Sequence, residues 1–151
     1  MDIQLQKNIR YLIHSLPVKD SLSVTLTMRQ VVEYDYLDPI KASKNFTHFL
    51  NRLNKKVYGN AYKRFGKSVS VVPVLEKSIE SRYHFHLILE KPKHIPQNTY
   101  ELMITECWRR TKFGYYEIDI RNIYSSGWSD YITKFASIDD AIDWENYHWN
   151  S

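Results

Sequence analysis

With 151 residues, 43% hydrophobic and 25% charged, the chain is too short for several domains and too apolar for a disordered tract, yet long enough to bury a core. Its single cysteine, Cys107, excludes an internal disulfide framework and fits a reducing compartment; no apolar run approaches a membrane span, and no leader can be drawn over Met1 to Leu16, where Asp2, Lys7, Arg10 and His14 interrupt the apolar residues. Net charge is +4, but residues 138–151 carry Asp139, Asp140, Asp143 and Glu145 with no Lys or Arg, so a basic body with an acidic tail suits a polyanion partner, or is simply a solvated surface.

Apolar side chains at Ile3, Ile9, Leu12, Ile13 and Leu16 predict an amphipathic helix that Pro17 ends. Leu22 to Met28 alternates strictly, with Leu22, Val24, Leu26 and Met28 on one face and Ser23, Thr25, Thr27 and Arg29 on the other, which predicts a half-buried strand. Asp38-Pro39 starts a helix through about Val57, with Phe46, Phe49, Leu50 and Leu53 inward. The β-branched run Val69 to Leu75 predicts a second strand and Arg82 to Leu89 a third, joined as an antiparallel hairpin by the short polar stretch Lys77 to Ser81. Asn98 or Thr99 is the expected cap of a helix reaching about Thr111, with Leu102, Met103, Cys107 and Trp108 inward. Tyr115 to Ile123 alternates again as a fourth strand, and Gly127 precedes a last helix from about Ser129 to Phe135. With the terminal helices set aside, the order is β-α-β-β-α-β. This predicts an α+β fold: a ferredoxin-like antiparallel sheet, helices on one face, and added N- and C-terminal helices. One domain covers the chain, its core at about residues 21–137 and an acidic aromatic tail at 138–151. The sheet's other face is left for a site.

The third strand reads Arg82-Tyr83-His84-Phe85-His86-Leu87-Ile88-Leu89. Successive side chains point to opposite faces, so Tyr83, Phe85, Leu87 and Leu89 go to the core. His84 and His86 then project together from the polar face, roughly 7 Å apart along the strand. Two imidazoles so placed can share one divalent metal; a chance His-x-His pair is the competing account. A carboxylate would complete the set. Glu76, returned beside the histidines by the hairpin, is the better candidate and Glu80, in the turn, its rival; Glu90 lies about 13 Å beyond His86. His14, His48, His94 and His148 show no ligand spacing.

Tyr131-Ile132-Thr133-Lys134 puts a phenol and an ammonium three residues apart, neighbours on a helix. A phenol is a poor nucleophile at neutral pH, and a nearby cation favours the phenolate or holds the group under attack. An exposed amphipathic helix face has the same spacing.

Three segments, in order, resemble the motifs of the HUH replication-initiator (Rep) endonucleases. Val24-Thr25-Leu26-Thr27 is similar to their first motif, His84-Phe85-His86 to their second, and Tyr131-x-x-Lys134 after a glycine-aromatic turn to their third. Glu76 stands eight residues before His84, where the viral branch carries its acidic ligand. The resemblance covers about Ser21 to Ser137 and implies a single-tyrosine, rolling-circle type enzyme. Mn²⁺ or Mg²⁺ would sit on His84, His86 and Glu76. Tyr131 would attack a phosphodiester of single-stranded origin DNA, hairpin or not, and leave a 5′-phosphotyrosine and a free 3′-OH, with Lys134 assisting. Rolling-circle replication of a phage, plasmid or small virus would follow. The expected partners are a host helicase and polymerase, with no membrane, and the compartment is a prokaryotic cytoplasm, or the nucleus of a eukaryotic host. A single-tyrosine HUH transposase and a non-catalytic ferredoxin-like nucleic-acid-binding module are the alternatives.

Expected DNA contacts are Thr25 and Thr27 of the first motif, with Arg29, Lys63, Arg64 and Lys67. Lys55 and Lys56 stand nearby in sequence, and Tyr58, Tyr62 and Phe65 are interleaved, a mixture suited to single strands. Gly59 to Ser68 ends in Gly66-Lys67-Ser68, but six residues separate its glycines where a phosphate-binding loop needs four, so nucleotide binding is rejected there.

Overall fold

The structure, a computed structural model, describes residues 4, 20–123 and 142–150. The predicted N-terminal helix (Gln4 apart) and last helix, with Tyr131 and Lys134, lie outside these residues. The elements are β1 (Ser21–Met28), β2 (Val31–Val32), β3 (Asp35–Tyr36), α1 (Pro39–Tyr58), α2 (Asn60–Phe65), β4 (Val71–Lys77), β5 (Tyr83–Glu90), α3 (Gln97–Arg109) and β6 (Gly114–Asn122). Four strands form one sheet in the order β4-β5-β1-β6, every neighbouring pair antiparallel. This is the predicted ferredoxin-like arrangement, with β1 and β5 innermost.

Alternation in the sequence decides which side of the sheet becomes core. Leu22, Val24, Leu26 and Met28 of β1 and Phe85, Leu87 and Leu89 of β5 are all buried against α1 and α3. Asp38 caps α1, its carboxylate accepting from the Lys41 amide at 2.8 Å, and Phe46, Phe49 and Leu53 form the buried stripe. Phe46 stacks at 4.7 Å from Phe85, and Phe49 meets Trp108 edge-on at 5.5 Å. Replacing one of these rings with alanine costs about 3–5 kcal/mol. The Trp108 indole also donates to the Thr27 carbonyl at 2.8 Å, tying α3 to the middle of the sheet.

Several local expectations change. The helix expected from Asn98 or Thr99 begins at Gln97 behind Pro96, with no side-chain cap. Its inward stripe is Tyr100, Ile104, Cys107 and Trp108, spaced i, i+4, i+7, i+8, which leaves Leu102 on the opposite side and 70% exposed. The second strand starts at Val71, because the Val69 amide is taken by Asn54 of α1 at 2.8 Å and not by a strand neighbour. The β2–β3 hairpin and α2 were not anticipated. Glu33 and Tyr34 both have positive φ (48° and 67°), the conformation of a two-residue hairpin turn, yet neither is the Gly or Asn that would announce one.

The acidic aromatic tail lies along the outer edge of β4. Val71 and His148 exchange backbone hydrogen bonds at 2.6 and 3.1 Å, and the Asp143 amide donates to the Pro73 carbonyl at 2.9 Å. Asn146 fixes this clasp to α1, donating to the Ser43 carbonyl at 3.0 Å and accepting from Thr47 at 2.8 Å. Pro73, which has no amide to offer, is tolerated on this outer strand.

The α3–β6 turn is held by Asn45, which accepts from the Phe113 amide at 3.1 Å and donates to the Thr111 hydroxyl at 3.0 Å. A Cβ added at Gly114 would lie 1.9 Å from the Trp108 carbonyl oxygen. Gly114→Ala is therefore expected to cost about 3 kcal/mol, visible as a lower urea midpoint followed by circular dichroism. An unchanged midpoint would mean the turn yields without cost.

Candidate metal centre

The site side of the sheet is built by register. Glu76 of β4 lies directly opposite His84 of β5, and Thr27 of β1 faces His84 from the other side. Thr25 faces His86 in the next row. Because Phe85 and Leu87 are drawn into the core, His84 and His86 must project to this side together.

Their donor atoms converge. Glu76 Oε2 lies 3.1 Å from His84 Nε2 and 2.9 Å from His86 Nε2, and the two Nε2 atoms are 3.0 Å apart. Hydrogen bonds alone do not account for this triangle. Each Nε2 carries at most one proton, so two protons serve three edges and one edge stays bare. One cation above the triangle satisfies all three edges. Neighbouring ligands of an octahedral ion bound at about 2.1 Å stand about 3.0 Å apart, which matches the observed edges. The residues present thus fit a divalent ion on one face of an octahedron.

The ligand tautomer is supported from behind. His86 Nδ1 lies 3.2 Å from Thr25 Oγ1, so with Nε2 turned to the cluster Nδ1–H donates to that hydroxyl and fixes the ring. Burial lowers the His86 pKa, the neighbouring His84 lowers it further, and Glu76 only partly opposes them. The imidazole is thereby kept neutral and its lone pair available.

Glu80, the rival carboxylate, is exposed in the β4–β5 turn and outside the cluster. Glu90 accepts from the Ser70 amide at 2.8 Å, far along the sheet. Thr27 donates to the Glu117 carbonyl and Arg29 Nη2 to the Lys112 carbonyl at 2.9 Å, both at the His84 end of β1. Lys63, Arg64 and Lys67 are not brought there. They precede β4, whereas Glu76 ends it, a separation of roughly 17 Å along the strand. Lys56 is paired with Glu106 of α3 at 3.1 Å. Tyr131 and Lys134 fall outside the described residues.

Gln30 is a positioning residue that the sequence did not single out. Its side chain donates to the carbonyls of Met28 (2.8 Å) and Tyr83 (3.0 Å) and accepts from the Tyr83 amide at 2.7 Å. It thus locks the start of β5, one residue before His84, to the end of β1. Beside the triad opens a cleft of about 310 Å³ lined by Thr25, Thr27, His84, His86, Arg82 and Tyr115, among others.

The family model for the Replication-associated protein of the ORF2 type matches residues 21–140, spanning the sheet, both long helices and every residue of the triad. No curated protein and no solved structure matches the chain.

Proposed function

The chain belongs to the ORF2-type Replication-associated protein family, and from that premise we propose that it nicks and rejoins single-stranded origin DNA through a tyrosine nucleophile at a divalent metal site. The observation that carries the reading is the Glu76–His84–His86 triangle, whose three edges suit one cation and exceed what two protons can bond. A bound Mn²⁺ or Mg²⁺ would polarise the scissile phosphate and stabilise charge on its oxygens. Glu76 and the two Nε2 atoms hold the cation, and Thr25 orients His86.

Tyr131 is the proposed nucleophile. Its oxygen forms a bond to phosphorus as the bond from phosphorus to the 3′ oxygen breaks. The phenol loses a proton and the leaving oxygen gains one, so nicking consumes nothing and rejoining is its reverse. Lys134 steadies the phenolate or the phosphate. Chain geometry permits the encounter. Tyr131 precedes Ile142 by eleven residues, an extended reach of up to roughly 37 Å. Ile142 is bridged to Val74, which pairs with His86 one strand further in, roughly 10 Å away.

The test is a randomised single-stranded DNA pool labelled at the 3′ end, incubated with the protein and Mn²⁺. The labelled 3′ fragment is expected to stay covalently on the protein, with peptide mapping at Tyr131; EDTA is expected to prevent the adduct. An adduct undiminished by EDTA would remove the metal from the reaction, and no adduct from any oligonucleotide would remove the activity.

A pH dependence follows from His86. Its folded pKa lies below the ordinary imidazole value of about 6.5, so protons compete with the cation only under that value. Calorimetric Mn²⁺ affinity is expected to be level from pH 8 to about 6.5 and then to fall about tenfold per unit for each proton displaced. The sign is the same for metal-free stability: the unfolded chain binds the proton first, so stability declines as pH drops through that window. Affinity rising toward acid pH would contradict a neutral histidine ligand.

A further inference from the structure

We propose that Tyr115 is a stacking platform for a base of single-stranded DNA, seating the nucleotide next to the phosphate held at the Glu76–His84–His86 triad. This rests on the nicking reading for the phosphate, but the platform itself requires only that single strands enter the cleft.

Four observations carry it. Tyr115 lines the same cleft as His84 and His86, from the opposite wall formed by β6. The β1–β6 register shifts between Leu26 and Met28, where β6 carries extra residues; such irregularities re-aim side chains beside active sites. The ring is supported from behind by Tyr116, at a centroid distance of 4.3 Å, and remains half-exposed, so an aromatic face is both braced and reachable. Finally, the charged groups lining the cleft divide the ligand's parts between them. Arg82, at the turn beside the histidines, suits a phosphate. Glu117, on the β6 wall with Tyr115, repels phosphate but can accept a hydrogen bond from an exocyclic base amino group. A base over Tyr115 with its phosphate toward Arg82 and the triad satisfies both.

Tyr115 is also a second phenol within reach of the proposed metal site, so its role must be told apart from that of a nucleophile. The hydrogen bond with Tyr116, partial burial and the Glu117 carboxylate hold its pKa above the usual phenol value, and Arg82 only partly opposes them. That favours the protonated ring. Stacking also has a signature that nucleophilic attack lacks: it survives loss of the hydroxyl and fails on loss of the ring.

The experiment measures binding of a fluorescein-labelled 20-mer of mixed sequence by anisotropy, in EDTA, for the full chain and for Tyr115→Phe and Tyr115→Leu, with thermal melts confirming the fold. Tyr115→Phe is expected to bind within about twofold of the parent and to give full adduct. Tyr115→Leu, which keeps apolar bulk without a π face, is expected to bind about tenfold more weakly or worse. Equal affinity of the leucine variant would overturn the platform, as would failure of the parent to bind. An adduct lost in Tyr115→Phe would overturn it too, by making the hydroxyl the reacting group. If the parent binds and the leucine variant does not, but no adduct forms, the platform stands and the nicking reading falls.

Discussion

His86→Ala is expected to abolish metal-dependent cleavage, by about a thousandfold or more, while leaving the chain folded. The ring is on the site side of the sheet, away from the aromatic core, and its hydrogen-bond partner Thr25 is a hydroxyl that solvent can satisfy in its place. Its loss breaks two of the three edges of the donor triangle, leaving Glu76 and His84 to hold the cation alone. A two-point site both binds weakly and lets the cation shift, so polarisation of the phosphate is lost along with affinity. Two measurements separate this from misfolding. Mn²⁺ should raise the melting temperature of the parent and not of the variant, because only a ligand bound to the folded state stabilises it. In metal-free buffer the variant should melt no lower than the parent, since removing one imidazole relieves a crowded polar contact. Thr25→Val should lie between, about ten- to a hundredfold down, as a ligand that has lost its support. Full cleavage by His86→Ala would remove the triangle from the chemistry altogether.

Tyr131→Phe is expected to eliminate the covalent adduct without altering metal affinity or single-strand binding. The substitution deletes one oxygen and keeps the ring, so it isolates the nucleophile as few changes can. No neighbouring water takes over the same product, because the adduct requires a bond from a side-chain oxygen to phosphorus. The expected loss is about ten-thousandfold or greater, limited by background. Lys134→Ala should be milder, about ten- to a hundredfold, if it only favours the phenolate. The comparison with Tyr115→Phe is the decisive control. If adduct persists in Tyr131→Phe and vanishes in Tyr115→Phe, the reacting phenol comes from β6 and not from the segment after it.

The sheet was legible because its strands are amphipathic on a period of two. In Leu22 to Met28 and Tyr83 to Leu89 the apolar set is unbroken, so both the core side and the histidine side follow from the sequence. Glu76 could be preferred to Glu80 because a short hairpin fixes the cross-strand register, and the structure puts it opposite His84. The support beneath the site was not legible. Thr25 meets His86 across sixty-one residues of sequence, and Gln30 grips Tyr83 across fifty-three. Such pairings depend on which strands become neighbours, which no local pattern states. Leu102 misled for a related reason: in α3, apolar residues occur around most of the circumference, and only packing against α1 and the sheet selects the phase. The β2–β3 turn went unseen because it uses Glu33 and Tyr34 in a conformation that usually advertises itself with glycine.

Glu76 reaches the triad from β4, and β4 has its outer hydrogen-bonding groups taken up by residues 142–150. Two events at a distance are thereby made reciprocal. A cation gripping Glu76 would slow amide exchange at Val71, Asp143 and His148, and peeling those residues away would loosen the cation by the same factor. A purification tag fused behind Ser151 is therefore no neutral handle: anything that tugs on the end of the chain pulls, through one strand, on a metal ligand.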